Sequence, residues 1–231
     1  MPLPWLSSTE ASFPDIGLAL ADPNGLLAAG GDLSPKRLIE AYSSGIFPWF
    51  EEGQPVLWWS PDPRMVLLPE DLRVSKSLQK ILNKPHYTVT LDEAFAEVIT
   101  CCAQPREESL GTWITDEMQT AYTQLFEAGH AHSVEVWRDG DLVGGLYGVA
   151  LGQLFFGESM FSFESNTSKI ALVNLVKQLQ EWNYKLIDCQ VSSGHLKSLG
   201  AIEISREQFR QHLHELLPHP GKAAPWNLEA I

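Results

Sequence analysis

Residues 133–159, SVEVWRDGDLVGGLYGVALGQLFFGES, decide the fold of this chain. Apolar and polar residues alternate up to Asp139-Gly140, a dipeptide typical of a tight β-hairpin turn. A second apolar run follows, and a Leu-Gly turn then leads into QLFFGES. The pattern predicts three successive antiparallel strands, the third of which ends at Glu158.

Glu158 is an anomaly in this stretch, because it is a lone acid at the end of an apolar strand. Its neighbours are the small residues Gly157 and Ser159 and the flexible side chain of Met160. An unpaired carboxylate is costly to bury, so this side chain must be solvated, paired or hydrogen-bonded. Two interpretations are open at this point. Glu158 is either a strand-end residue that reaches water or part of a functional site.

The next strand carries a second anomaly. A helical pattern at about 168–182 connects the third strand to KLIDCQV at 185–191. A strand–helix–strand unit of this length implies a parallel crossover, so the two strands are expected to lie close together in one sheet. Asp188 and Gln190 are two residues apart and are expected on one face. Near Glu158 they would form either a satisfied polar network or a site.

The remaining chain predicts an α+β protein of two domains. Residues 1–63 are rich in Trp, Pro and Gly, which favours a small N-terminal domain with an irregular aromatic core. Residues 64–231 hold the predicted strands and helices of a larger mixed sheet, followed from Pro218 by a proline-rich tail that we expect to be loose. Further helices have cap signals. The expected N-caps are Ser34, Thr115 and Ser205, and the glycines expected to end the first two helices are Gly45 and Gly129.

Composition narrows the classes of function. The formal net charge of −13 argues against a surface that binds nucleic acid throughout, although a local basic patch is compatible with it. The three cysteines have neither a disulfide nor a zinc spacing, and the N-terminus lacks the regions of a signal peptide. We therefore expect a soluble cytoplasmic protein with no metal, no membrane partner and no DNA partner.

A row of basic residues stands out against this acidic background. In RVSKSLQKILNK, at 73–84, the basic side chains are spaced three, four and four residues apart and share one face of a predicted helix. A solvated helix face explains such a row, and so does contact with a polyanion. The residues are Arg73, Lys76, Lys80 and Lys84.

Several long words in the sequence resemble one family. They are GIFPWF, LWWSPDPR, GTWIT, HAHSVEVW, LVGGLYGVA, FFGESMFS and LIDCQV. Together they resemble the leucyl/phenylalanyl-tRNA–protein transferase family. The resemblance implies a GNAT-like (acetyltransferase-like) domain after the N-terminal one. It also implies transfer of Leu or Phe from aminoacyl-tRNA to an N-terminal Arg or Lys of acceptor proteins, which marks them for N-end rule degradation.

The resemblance also implies roles for individual residues. Asp188 and Gln190 resemble the family's catalytic pair. The positions that resemble walls of a pocket for the Leu or Phe side chain are Leu146, Phe155, Glu158, Leu179 and Ile187. Those that resemble contacts to the 3′-terminal adenosine of tRNA are Trp49, Trp113 and Tyr42, and the basic row matches the expected contact with the tRNA backbone.

The implied chemistry requires no cofactor, because an aminoacyl ester is already activated. The protein must hold the ester carbonyl beside a neutral α-amine and manage one proton, and we expect Asp188, through Gln190, to position and polarise that amine. Two rival interpretations are an acyl-CoA-dependent N-acetyltransferase and a non-catalytic module that recognises tRNA ends or protein N-termini. Against the first, no glycine-spaced pyrophosphate loop opens the helix at 168–182.

Overall fold

The computed structural model describes residues 3–8, 12–104 and 114–228, and every structural statement below concerns these residues. Two sheets and seven α-helices are formed. The helices are Pro35–Ser43 (α1), Lys76–Leu82 (α2), Phe95–Cys102 (α3), Asp116–Glu127 (α4), Thr167–Glu181 (α5), Gly194–Ser198 (α6) and Arg206–Leu216 (α7). Among the described residues, no helix is sufficiently long and apolar to cross a membrane.

The N-terminal sheet is small and has the spatial order β1-β2-β4-β3. Its aromatic core is centred on Trp58, which is fully buried and donates its indole N–H to the backbone oxygen of Gly30 at 2.8 Å. The predicted aromatic core of this region is therefore confirmed. The strands are Trp5–Leu6 (β1), Leu26–Gly30 (β2), Phe47–Pro48 (β3) and Leu57–Trp59 (β4).

The large sheet has seven strands in the order β11-β5-β10-β9-β8-β7-β6. In the described part of this sheet, β9 and β10 form the one parallel pair, and α5 makes the crossover between them. The predicted α+β class, mixed sheet and parallel crossover are confirmed. The strands are Arg64–Leu67 (β5), Thr88–Leu91 (β6), Ala131–Arg138 (β7), Asp141–Leu151 (β8), Leu154–Ser162 (β9), Leu186–Gln190 (β10) and Ile202–Ile204 (β11).

Local sequence signals set most element boundaries. Asp139 and Gly140 both have positive φ, of 53° and 91°, as a two-residue hairpin turn between right-twisted strands requires. The hydroxyls of Ser34, Thr115 and Ser205 each accept the backbone N–H three residues later, so all three predicted N-caps are confirmed.

The third strand does not end at Glu158, as the sequence predicted, but continues to Ser162. Tyr147 of β8 pairs with Ser159 and the next residue, Gly148, pairs with Gly157. Glu158 is therefore an extra residue in β9, a β-bulge that turns its side chain and lets the strand continue. The acid marks a change of register within the strand and not its end.

The helix that carries the basic row is shorter than predicted. Ser75 caps α2, which covers only Lys76–Leu82, so Arg73 and Lys84 lie outside it. Leu78 is its buried residue, and all four basic side chains are exposed.

The C-terminal tail is packed against the large sheet, so the prediction of a loose tail was wrong. Trp226 is fully buried and contacts the rings of His132, Trp182 and Tyr184. Its backbone N–H donates to Asp92 Oδ2 at 2.8 Å. Trp226 thus anchors a segment whose proline-rich composition suggested a loose tail.

One continuous apolar cluster joins the two sheets. It contains Trp58 of the small sheet, Tyr147 and Phe156 of the large one, and Phe209 of α7. A second cluster fills the space between the large sheet and α5. The N-terminal region thus contacts β9 through α1, where the ring centroids of Tyr42 and Phe156 are 5.1 Å apart. The division into domains at residue 63 stays a prediction.

Candidate active site

The parallel strands β9 and β10 separate at the point where the two sequence anomalies lie. Their last paired residues are Phe156 and Asp188, and beyond them β10 pairs only with β5. Glu158 and Gln190 are each two residues past that last pair. Gln190 Nε2 donates to Glu158 Oε1 at 2.8 Å, so a side-chain hydrogen bond joins the strands where the backbone ladder has ended.

Two tyrosines from other elements complete a network around Glu158. The Tyr42 hydroxyl, on α1, donates to Glu158 Oε1 at 2.7 Å, and the Tyr122 hydroxyl, on α4, donates to Glu158 Oε2 at 2.9 Å. The two hydroxyls also contact each other. While Glu158 is ionised, the two hydroxyl protons can serve only two of these three oxygen–oxygen contacts. If Glu158 is protonated, it can donate to one tyrosine, whose own hydroxyl then donates to the other, and all three contacts are hydrogen bonds.

The environment of Glu158 brings its ionisation into the neutral range. Burial raises the pKa of Glu158, the hydrogen bonds from Tyr42, Tyr122 and Gln190 lower it, and the charge of Asp188 raises it further. The resulting pKa is about 7, against an ordinary value of 4.5. Burial also raises the pKa of both tyrosines, so their hydroxyls stay protonated. A carboxyl group with this pKa can accept or give a proton at neutral pH.

Asp188 has a different environment. It is fully buried, and its carboxylate accepts two hydrogen bonds from Arg64, from Nε to Oδ1 at 2.8 Å and from Nη2 to Oδ2 at 2.6 Å. The backbone N–H of Gln190 donates to the same Oδ1 at 2.9 Å. Such a bidentate pair with arginine fixes the orientation of the carboxylate.

Known proteins of one family match this chain over most of its length. The family model for leucyl/phenylalanyl-tRNA protein transferase matches residues 66–214, and the model for its N-terminal domain matches 31–62. The curated leucyl/phenylalanyl-tRNA–protein transferase of Nitrosospira multiformis is 60% identical over 224 residues, 97% of this chain and 96% of the relative. That of Cellvibrio japonicus is 57% identical over 218 residues, 94% and 93% of the two chains.

The chain belongs to the leucyl/phenylalanyl-tRNA–protein transferase family. Similarity to solved structures is much weaker. A GCN5-related N-acetyltransferase from Kribbella flavida covers 72% of this chain and 60% of its own at 11% identity, with a TM-score of 0.37. L-PGS from Bacillus licheniformis covers 75% and 56% at 12% identity, with a TM-score of 0.41.

The residues that the family resemblance assigned to a side-chain pocket divide into two groups. Leu146, Phe155, Leu179 and Ile187 are all at most 3% exposed and pack together in the apolar cluster beneath α5. Glu158 instead contacts Tyr42 and Tyr122, which belong to the other cluster. The bulge therefore directs the carboxylate away from the four apolar side chains. Their role as pocket walls stays a prediction.

The residues assigned to the tRNA adenosine are also separated. Trp49 is 44% exposed, and its ring centroid lies 5.7 Å from that of Trp59. An indole with an open surface is suited to stacking on a base. Tyr42, in contrast, is fully buried within the Glu158 network. Trp113 lies outside the described residues.

Two residues of the network were not assigned from the sequence. Arg64 is the first residue of an apolar strand. A charge buried there requires a partner, because an unpaired buried charge is costly. Tyr122 lies on the buried face of α4, where a tyrosine hydroxyl requires a hydrogen-bond partner. For a metal ion, the described residues contain no cluster of three or more His, Cys, Asp or Glu side chains.

Proposed function

We propose that this protein transfers leucine or phenylalanine from aminoacyl-tRNA to the N-terminal Arg or Lys of acceptor proteins, in the cytoplasm, where aminoacyl-tRNA is found. The observation that carries the proposal is the Glu158–Gln190 pair at the separation of β9 and β10, in a chain 60% identical to a named transferase. The formal net charge of −13 supports a cationic acceptor, since an acidic surface attracts basic peptides.

The reaction needs no external source of energy. The neutral α-amine of the acceptor attacks the ester carbonyl, an amide bond forms, the ester C–O bond breaks, and the 3′-hydroxyl of tRNA leaves. The attacking nitrogen loses one proton and the leaving oxygen gains one. Positioned groups that transfer such a proton typically accelerate a reaction about 10²–10⁴-fold.

Glu158 is the better candidate for moving this proton. Its pKa of about 7 lets it accept the proton from the nitrogen and return it to the leaving oxygen. Asp188 is fully buried, and three donors already occupy its carboxylate oxygens, so it offers no free oxygen to the substrate. Gln190 cannot act as a base, and we assign it the positioning of Glu158 and the amine.

A transfer assay tests the proposal. Purified protein is mixed with [¹⁴C]Leu-tRNA and peptides that differ only in their first residue, and label in the peptide is counted with and without prior RNase treatment. We expect RNase-sensitive transfer to Arg- and Lys-starting peptides, and none to an N-acetylated Arg peptide, which has no free α-amine. Binding of the tRNA without transfer would favour a non-catalytic module, and label from acetyl-CoA would favour an N-acetyltransferase.

A further inference from the structure

Arg64 is a buried cation whose every guanidinium nitrogen has an acceptor. Only 1% of its surface is exposed. Nε and Nη2 bind the two oxygens of Asp188, and Nη1 donates to the backbone oxygen of Gly45 at 3.1 Å. The rings of Phe47 and Phe209 lie 4.8 and 4.6 Å from the guanidinium carbon. Planar arginine, but not lysine, can satisfy all these contacts at once.

The Arg64–Asp188 ion pair contacts the backbone at Gln190, whose conformation is unusual. Gln190 has a φ of 64°, in the left-handed region that residues other than glycine rarely adopt, and the register between β10 and β5 shifts between Asp188 and Gln190. Such a conformation persists only where the surroundings impose it. Two hydrogen bonds hold it here. The Gln190 backbone N–H donates to Asp188 Oδ1 at 2.9 Å, and the Val191 N–H donates across Gln190 to the Cys189 oxygen at 2.8 Å.

The geometry points to Arg64 as a positioning residue for the transfer reaction: it fixes the Asp188 carboxylate, which holds Gln190 in its left-handed conformation and aims the Gln190 amide at Glu158. The inference rests on the function proposed above for Glu158 and Gln190. Asp188 then acts through the backbone of Gln190, and the ion pair keeps the hydrogen bond between the separated strands in place.

The same arrangement links the site to the N-terminal sheet. Helix α1 supplies Tyr42 to Glu158 at one end of the network, and the turn after that helix supplies the Gly45 oxygen to Arg64 at the other. Phe47 of β3 and Phe209 of α7 cover the guanidinium between them. Packing of the N-terminal sheet on the large one is thus a condition for the geometry at Gln190.

Two variants separate positioning from folding. Arg64→Lys keeps the charge but cannot make the bidentate contact. The Arg64→Met/Asp188→Leu double variant removes both buried charges and replaces them with apolar side chains, an exchange that is often neutral for stability. The double variant still lacks Asp188 Oδ1, which accepts the Gln190 backbone N–H in the wild type. Arg210→Lys is the matched control, because Arg210 lies on α7 in an exposed ion pair with Glu207.

Steady-state kinetics and thermal melting are measured on all four proteins. We expect Arg64→Lys to lower kcat about 10- to 100-fold with KM for Leu-tRNA within about twofold, because a misplacement of about 1 Å near reacting atoms has an effect of this size. We expect the double variant to melt near the wild-type Tm yet keep the kcat defect, and Arg210→Lys to match wild type. The pH at which kcat/KM is half-maximal should rise in Arg64→Lys, since Gln190 no longer lowers the pKa of Glu158.

Recovery of wild-type kcat in the folded double variant would overturn the inference, because the ion pair would then serve folding alone. Wild-type kcat and pH profile in Arg64→Lys would overturn it as well. Failure of the wild-type protein to transfer Leu would instead overturn the proposed function, so the two failures are distinguishable.

Discussion

The indole ring of Trp226 lies flat on the imidazole of His132, with ring centroids 3.6 Å apart and planes within 3°. Asp92 joins the two residues, because its Oδ2 accepts the backbone N–H of Trp226 and lies 2.9 Å from His132 Nδ1. The C-terminal segment is therefore held by a stacked pair and a shared carboxylate. Trp226 also lies 6.0 Å from Phe155, so the segment supports the apolar cluster beneath α5.

Replacing Trp226 with alanine should lower the free energy of unfolding by about 3–5 kcal/mol, as the removal of large buried aromatic side chains does. Trp5→Ala is the control, because this tryptophan is 72% exposed and its removal should cost much less. Urea denaturation followed by circular dichroism measures both. Equal effects of the two substitutions would contradict the docking of the tail.

Ionisation of Glu158 should make the folded protein less stable as the pH rises. The pKa of Glu158 is about 7 in the folded state and near 4.5 when unfolded, so between these values the folded state binds more protons. Stability linked to this group is therefore fully present below about pH 4.5 and is lost as the pH rises through about 7. Glu158→Gln should remove this component. The difference in Tm between the variant and wild type, measured at intervals from pH 4.5 to 8, checks it.

The same carboxyl should control the acidic limb of the activity profile. Below pH 7, kcat/KM of wild type should fall with two ionisations, that of Glu158 and that of the acceptor α-amine, whose ordinary pKa is about 7.7–8.0. Glu158→Gln should be about 10²–10⁴-fold slower and should show only the amine ionisation. Two ionisations in the variant would exclude Glu158 as the proton carrier.

Local signals in this sequence were sufficient for most of the fold. The Asp139-Gly140 turn and the caps at Ser34, Thr115 and Ser205 depend on backbone conformations and hydrogen bonds within a few residues, which a sequence displays directly. The crossover that brings β9 beside β10 follows from chain topology. Asp188, Gln190 and Glu158 could therefore be placed near one another before any coordinates were known.

The features that the sequence did not reveal depend on contacts between residues that are far apart in the chain. Arg64 and Asp188 are 124 residues apart, and nothing local to either one identifies the other. The bulge at Glu158 is a relation between two strands, so the alternation within one strand could not reveal it. The prediction of a loose tail failed because its prolines are local, whereas the ring partners of Trp226 lie in β7, in β9 and just after α5.

The exposed basic row should contribute to tRNA affinity through charge alone. Lys76→Glu/Lys80→Glu should weaken binding of Leu-tRNA at low salt and reduce the salt dependence of the affinity, because fewer counterions are released. Lys185→Glu is the control, since this exposed lysine precedes β10 at the end opposite Gln190. Filter binding at several salt concentrations makes the comparison. Unchanged affinity in the double variant would leave the row as a solvated face.

The exposed indole of Trp49 should contribute to binding of the 3′ end of the tRNA and not to the stability of the fold. Stacking of a base on an aromatic ring is worth about 1–3 kcal/mol, so Trp49→Ala should raise KM for Leu-tRNA about 5- to 150-fold while the KM for the acceptor peptide stays constant. Trp49→Phe should restore part of the affinity, because a smaller aromatic face remains. Thermal melting of both variants separates the alternatives, since a lower Tm with an unchanged KM would make Trp49 part of the aromatic core that it shares with Trp59.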